Sequence, residues 1–418
     1  MVPLSTPLST PLSTARHERA VLGACVALTM FAAACGGTSA PTDSGTDAGT
    51  DAGPDLCADV VCTALSSCHE VGTCDPATGE CSSPVRADGA ACDDGAACTT
   101  DDACLDGVCV GGEPAADGTH CPCGACFGGE CGLRSLGATG LEPGDPPPRS
   151  LAVDETRVYV GNQYAGYALR SSVTSLPVAG GAPTTLASGF SGIPLVAVLD
   201  GTVYYTRNAE VWSVPADGSA AGAPLFIHAA QFASMTSDGA RLYLTTGTSG
   251  DSIVSVELTG EGTTLATSEA TPGPIATDGT RLYWINYDDG TIRAMPVAGG
   301  TPVTIATGTA PRNLAVDSTH VYWTEPTTGE VLRAPLEGGA TTPLATAQPE
   351  PSGIMVFGGR VYWTNYNGGM AGAVMAVDAA RGGIATVPGA LLGPALLAHN
   401  GECIYVLHDG VVSSAPAF

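Results

Sequence analysis

The chain has 418 residues, with 41 acidic against 15 basic side chains and a net charge of −26. A surface of that sign repels nucleic acid and anionic lipid headgroups, which removes both from the classes of partner. Every basic residue is arginine, so P-loop phosphate binding, Schiff-base chemistry and the S-x-x-K hydrolases, each of which needs a lysine amine, are excluded. With 56 glycines and 31 prolines, the composition suits short strands and frequent turns, not long helices.

Residues 1–14 repeat Pro-Leu-Ser-Thr, and Arg16, His17 and Arg19 then make a short basic region. The apolar run from Ala20 to Ala34 is too short to span a bilayer and fits the core of a signal peptide. It ends Phe31-Ala32-Ala33-Ala34-Cys35-Gly36, which resembles a bacterial lipobox, with Ala32 where leucine is usual. The resemblance implies cleavage before Cys35 and lipidation of its thiol. Residues 1–34 are therefore expected to be a signal peptide. Residues 35–56, rich in Gly, Thr, Ser, Asp and Ala, are expected to be a flexible tether. The expected location is the cell envelope, on a bacterial outer membrane touched only through the lipid, or otherwise secreted.

Residues 57–131 hold thirteen cysteines with almost no hydrophobic periodicity between them. Such a segment cannot bury enough apolar surface to offset chain entropy, so disulfides are expected to hold it. Cys121, Cys123, Cys126 and Cys131 offer a competing metal or redox reading. A zinc ribbon, however, needs two C-x-x-C pairs, and a redox C-x-x-C needs a βαβ setting. No D-x-D-x-D-G calcium loop occurs, and no metal or cofactor is expected. The stretch from Asp88 to Cys109 resembles the small EGF-like, Cys-rich repeats of deltaproteobacterial surface proteins, which implies a spacer or an adhesive unit. Thirteen is odd, which leaves Cys403 either bonded to this module or buried as a free thiol.

From residue 132 onward a repeat takes over. Tyr159, Tyr204, Tyr243, Tyr283, Tyr322, Tyr362 and Tyr405 follow one another at spacings of 39 to 45 residues. Each unit reads as a short apolar strand, an Asp- or Asn-bearing turn, the Tyr strand, a variable loop, an alternating third strand, and a Thr-rich fourth strand after Gly-Gly. A period near 40 with four short strands predicts an all-β fold, a β-propeller over residues 132–418. Seven blades are counted, or six if the unit around Tyr204 or Tyr405 is not a full blade. Leu133-Arg-Ser-Leu-Gly-Ala reads as a stray fourth strand, and pairing it with the last unit, which stops at its third strand, closes the ring and removes free edges. Tyr283-Trp284-Ile285-Asn286, Tyr322-Trp323-Thr324-Glu325 and Tyr362-Trp363-Thr364-Asn365 resemble the YWTD propellers of low-density-lipoprotein-receptor type. That resemblance implies the fold and blade-packing aromatics, and nothing about ligand. Arg157, Arg241, Arg281, His320 and Arg360 recur just after the turn and read as solvated or inter-blade structural positions.

No catalytic constellation emerges. Gly250-Asp251-Ser252-Ile253 matches the G-D-S-[LI] esterase string but lies inside a blade, away from the α/β setting that chemistry needs. The loops after strand two and before strand one converge on one end of the ring. The exposed candidates there for ligand binding are Tyr164, Tyr167, Asn208, Asn286, Tyr287, Asp288, Glu325, Asn365, Tyr366, Asn367 and His408. The expected function is that of a monomeric, non-enzymatic envelope lipoprotein, its propeller a protein- or glycan-binding scaffold on a Cys-rich stalk. The alternative is a metal-dependent hydrolase or lyase with its site at the propeller mouth.

Overall fold

A computed structural model describes residues 56–140, 148–163, 170–247, 250–389 and 391–417. The expected signal peptide, Cys35, and the expected tether up to residue 55 lie outside these. Two compact units are present: residues 56–95 with 101–112, and residues 96–100 with 113–417.

The smaller unit has almost no apolar core. Val61 is 85% exposed and Leu65 76%, and its buried apolar side chains are the half-cystines Cys68 and Cys104. Four disulfides hold it together: Cys57–Cys74, Cys62–Cys81, Cys68–Cys104 and Cys92–Cys109. The remaining cysteines of the stretch belong to the larger unit, as Cys98–Cys126, Cys121–Cys131 and Cys123–Cys403. The Cys123-x-x-Cys126 pair is thus split between two different partners and is not a redox dithiol. Cys403 is a half-cystine, not a free thiol.

The larger unit is the propeller. Seven successive antiparallel sheets, each a run of four strands, occupy its described residues. The sixth carries an added two-residue strand, Leu391–Leu392, on its third strand. The first strands are Ser150–Val153, Val196–Leu199, Ser234–Ser237, Pro272–Thr277, Leu314–Val316, Pro351–Phe357 and Pro394–His399. Each abuts the next, and the seventh abuts the first, so these strands ring the axis. The seventh sheet is completed by Arg134–Ala138, which pairs antiparallel with Val411–Pro416. The expected closure is therefore present.

The repeat tyrosines stand on second strands and are buried; the tryptophans Trp284, Trp323 and Trp363 beside them are fully so. They fill the space between successive sheets, which is where a propeller keeps its core. Among the turn aspartates between first and second strands only Asp200 adopts a positive φ, at 45°. In the Asp238, Asp278 and Asn400 turns the following glycine does so, and the other aspartates act through their side chains. Asp278 Oδ1 accepts the backbone N–H groups of Thr280 and Arg281, both at 2.8 Å, while its Oδ2 accepts the Tyr283 hydroxyl at 2.8 Å. The same arrangement joins Asp154 to Tyr159, Asp238 to Tyr243 and Asp317 to Tyr322. In the last blade the Asn400 amide donates to the Tyr405 hydroxyl instead.

Candidate ligand-binding site at the loop end of the ring

In an antiparallel four-stranded blade, the segment leading into the first strand and the loop joining strands two and three lie at the same end. The described candidate binding residues lie in these segments or, for Asn286, Glu325, Asn365 and His408, end the second strand beside them. Tyr164 and Tyr167 lie outside the described residues. Asn208, at a positive φ of 56°, is exposed and donates to Ser191 Oγ at 2.8 Å. Asp288 is exposed and accepts the Thr271 hydroxyl at 2.6 Å. Asn367 donates to the Ala371 carbonyl at 2.9 Å. Tyr366 is half-buried beside Gly369 and Gly393. His408 shares a hydrogen bond of 2.8 Å with Ser413 Oγ, and burial lowers its pKa against the pull of Asp409.

Tyr287, Tyr366, Asn367 and His408 are half-buried rather than exposed as expected, and three further candidates are fully enclosed. Asn286, Glu325 and Asn365 are buried, and each brackets a tryptophan to the segment entering the first strand of its own blade. Trp323 Nε1 donates to Glu325 Oε1 at 3.0 Å, and the same carboxylate accepts Thr309 N at 3.1 Å and Ala310 N at 2.7 Å. Trp284 Nε1 donates to Asn286 Oδ1 and to Glu269 Oε2, both at 3.1 Å, and Asn286 Nδ2 donates to Glu269 Oε2 at 2.9 Å. Gln348 replaces Glu269 around Trp363 and Asn365. The sequence showed the polar residue two places after each tryptophan, but not the partner some fifteen residues upstream that removes it from solvent.

The first strands share an alignment that the tyrosine repeat alone does not show. Ala152, Ala197, Thr236, Ala276, Ala315, Met355 and Ala398 of the first strands each face the repeat tyrosine of their own blade. Counted three residues back along the chain stand Arg149, Pro194, Ala233, Gly273, Arg312, Ser352 and Ala395, with the register interrupted between the two places in the fourth, sixth and seventh blades. Five are small or carry no hydrogen-bonding side chain beyond a hydroxyl, and two are arginine. The segments are near copies: Pro148-Arg149-Ser150-Leu151-Ala152-Val153 and Pro311-Arg312-Asn313-Leu314-Ala315-Val316. That shared Pro-Arg-x-Leu-Ala-Val string was the available signal. The backbones match as well, Arg149 N donating to Gly161 O at 3.1 Å and Arg312 N to Thr324 O at 2.9 Å.

Both guanidinium-bearing residues are half-buried. Burial, and then the positive charge of Arg312, lower the pKa of Arg149. Tyr287 lies over Gly273, where any Cβ would collide with its ring, and donates its hydroxyl to the Arg312 carbonyl at 3.1 Å. Burial raises its pKa, with Arg312 opposing.

The G-D-S-I string does not form a nucleophile: Ser252 is buried and gives its hydroxyl to the Gly250 carbonyl at 2.7 Å. Among the described residues, three groups of His, Cys, Asp or Glu come within metal-holding distance. Two consist of disulfide-bonded cysteines. The third, Asp93, Asp94 and Asp102, belongs to the smaller unit.

No protein-family model matches the sequence, and no curated protein matches it significantly. Solved structures do resemble the fold. Virginiamycin B lyase from Staphylococcus aureus is 14% identical with a TM-score of 0.56, over 68% of this chain and 99% of that one. The WD40 β-propeller domain of Doa1 is 13% identical with a TM-score of 0.54, over 69% and 97%. YCF48 from Cyanidioschyzon merolae is 11% identical with a TM-score of 0.53, over 68% and 99%. At these identities the likeness establishes a β-propeller and carries nothing about ligand or activity.

Proposed function

We propose that this chain is a non-enzymatic binding protein of the bacterial cell envelope. It is anchored through a lipid on Cys35, and its propeller presents the loop end of the ring to a glycan. One observation carries binding over catalysis. The acid and amide side chains that a metal-dependent lyase or hydrolase would gather at the mouth are committed to the architecture. Glu269, Glu325, Asn286 and Asn365 hold tryptophans and linker amides in place, and Glu350 accepts the Gly368 amide at 2.6 Å. The side chains at the rim, Asn208, Asp288 and Asn367, each use one hydrogen bond within the protein and keep further amide or carboxylate capacity, a chemistry that matches sugar hydroxyls.

The test uses the full chain expressed with its leader. Mass spectrometry of the mature N-terminus is expected to find an acylated Cys35. Titration calorimetry against purified envelope and extracellular polysaccharides is expected to give saturable binding without turnover. Conversion of a bound saccharide to new products would replace the binding reading with an enzymatic one, and an unmodified Cys35 would remove the anchor.

A further inference from the structure

We infer that His120 and Arg134 form a proton-operated latch on the seam where the ring closes. The latch holds while the imidazole is neutral and lets go when it takes up a proton. This device is independent of what the propeller binds.

Three observations carry it. First, the Arg134 guanidinium stands across the seam. Its strand, Arg134–Ala138, completes the last sheet, while its Nη2 donates to the Val178 carbonyl of the first blade at 3.1 Å. Gly181 N, in the same turn of the first blade, donates to Leu136 O at 3.2 Å, so this one strand touches both ends of the ring. Second, the other terminal nitrogen, Nη1, donates to His120 Nε2. A guanidinium has donors only, so Nε2 is the acceptor and the imidazole is neutral, with its proton on Nδ1. Protonation removes that lone pair and sets cation against cation. Arg134 has little else to hold it there: its Nε is buried without a partner, and among the described residues it forms no salt bridge. Third, solvent protons reach His120, and few neighbouring charges mask the change. His120 is exposed and stands on the strand His120–Cys121, at the edge of a three-stranded sheet with Gly124–Phe127 and Glu130–Gly132. That sheet packs against Val411–Pro416, whose side chains carry no charge, and the closing strand carries only Arg134. Across its own sheet His120 is in line with Ala125 and Gly132, and the carboxylate of Glu130 is further along, opposite Phe127. Two carboxylates lie on the far side of Arg134. Burial pushes the Tyr405 hydroxyl up to about 12, with Glu402 and Asp154 adding to the rise and Arg134 opposing it. Both acids compete for the guanidinium once the imidazole is charged. The Cys123–Cys403 bond holds the three-stranded sheet to the last blade in either state, so release is a local opening and not detachment.

The experiment is hydrogen exchange on the intact, disulfide-bonded protein, read by mass spectrometry and corrected for intrinsic rates. It compares about pH 7.5 with about pH 5.5, either side of the range in which histidine changes charge and above that in which carboxylates do. Wild type is expected to lose protection about threefold or more at the lower pH over residues 120–127, 134–138 and 178–181, with the blades away from the seam unchanged. His120→Gln sets a permanent acceptor near the place of Nε2 and is expected to stay protected at both pH values. His120→Ala offers no acceptor and is expected to be open at both; its flat profile serves if the glutamine variant melts early. The inference is overturned if wild-type protection is the same at the two pH values, or if either variant keeps the wild-type dependence on pH.

Discussion

At the residue scale, the turn aspartates show how one carboxylate can organise a hairpin. In Asp317, burial acts to raise the pKa, but the Tyr322 hydroxyl, the His320 and Thr319 amides and the Thr319 hydroxyl outweigh it, and the net shift is downward. Asp278 is lowered in the same way. A carboxyl depressed on folding contributes stability that is present above its unfolded pKa of about 3.9 and lost as pH falls through the folded value. The melting temperature is therefore expected to hold steady at neutral pH and to drop once the pH passes below about 4. Tyr322→Phe removes one donor to Asp317 without opening space. It is expected to cost about 0.5–1.5 kcal/mol at pH 7, and thermal melts should show the difference from wild type narrowing at pH 2. An unchanged gap between the two pH values would mean that the hydroxyl does not tune the carboxylate. The Asp–x4–Tyr spacing was visible in the sequence as a turn followed by a strand. The bond between the two was not, because turn propensity accounts for the aspartate without it.

At the element scale, each strong blade is tied to the segment that enters it. The Trp-x-Glu or Trp-x-Asn spacing puts the polar side chain on the same face as the tryptophan, and the upstream linker folds over both. Gly308 belongs to that linker, and a side chain there would occupy the place of the Glu325 carboxylate. Thr324 adds a hydroxyl bond of 2.8 Å to Ser352 O of the next blade, and Thr245 likewise bonds Gly273 O at 2.8 Å. In these two blades the threonine is thus an inter-blade tie, whereas Thr364 accepts Gly353 N within its own blade. Glu325→Ala would leave the Trp323 indole N–H and two backbone amides without acceptors. It is expected to destabilise the protein by about 3 kcal/mol or more, with Glu325→Gln costing less because one acceptor survives; chemical denaturation measures both. Equal losses would show that packing, and not the acceptor, is what the site needs. The motif itself was legible, and so were its aromatics as packing residues. Its polar terminus was read as exposed because the partners Glu269, Gln348 and the 309–310 amides sit outside the repeat's recognisable strands.

At the scale of the whole molecule, the tyrosine period, the four-strand unit and the stray strand before the first unit were enough to anticipate a closed propeller. Periodicity carries those features. What periodicity cannot carry is where a Cys-rich stretch divides, since cysteine spacing allows many pairings, and here Cys98, Cys121, Cys123, Cys126 and Cys131 all sort with the propeller. Two arginines at equivalent points also escaped, because a residue found in two blades of seven does not register as a repeat. The Cys123–Cys403 bond spans 280 residues of sequence and reinforces the pairing of Arg134–Ala138 with the last strand. In the chain-entropy model a loop of that length is worth about 5.5 kcal/mol. Cys403→Ser is expected to lower the denaturation midpoint, and hydrogen exchange is expected to show the 134–138 and 411–416 amides losing protection first. Uniform loss of protection would show that the closing sheet is no weaker than the others. The closure also imposes an order in time. The strand at 134–138 is synthesised before any complete blade, yet its partner arrives only with the final residues. Until then it waits with an open edge, and Cys123 waits with it. Folding of this ring is thus finished from its two ends at once, and a chain released short of residue 411 would have every blade but the last and no clasp to hold them.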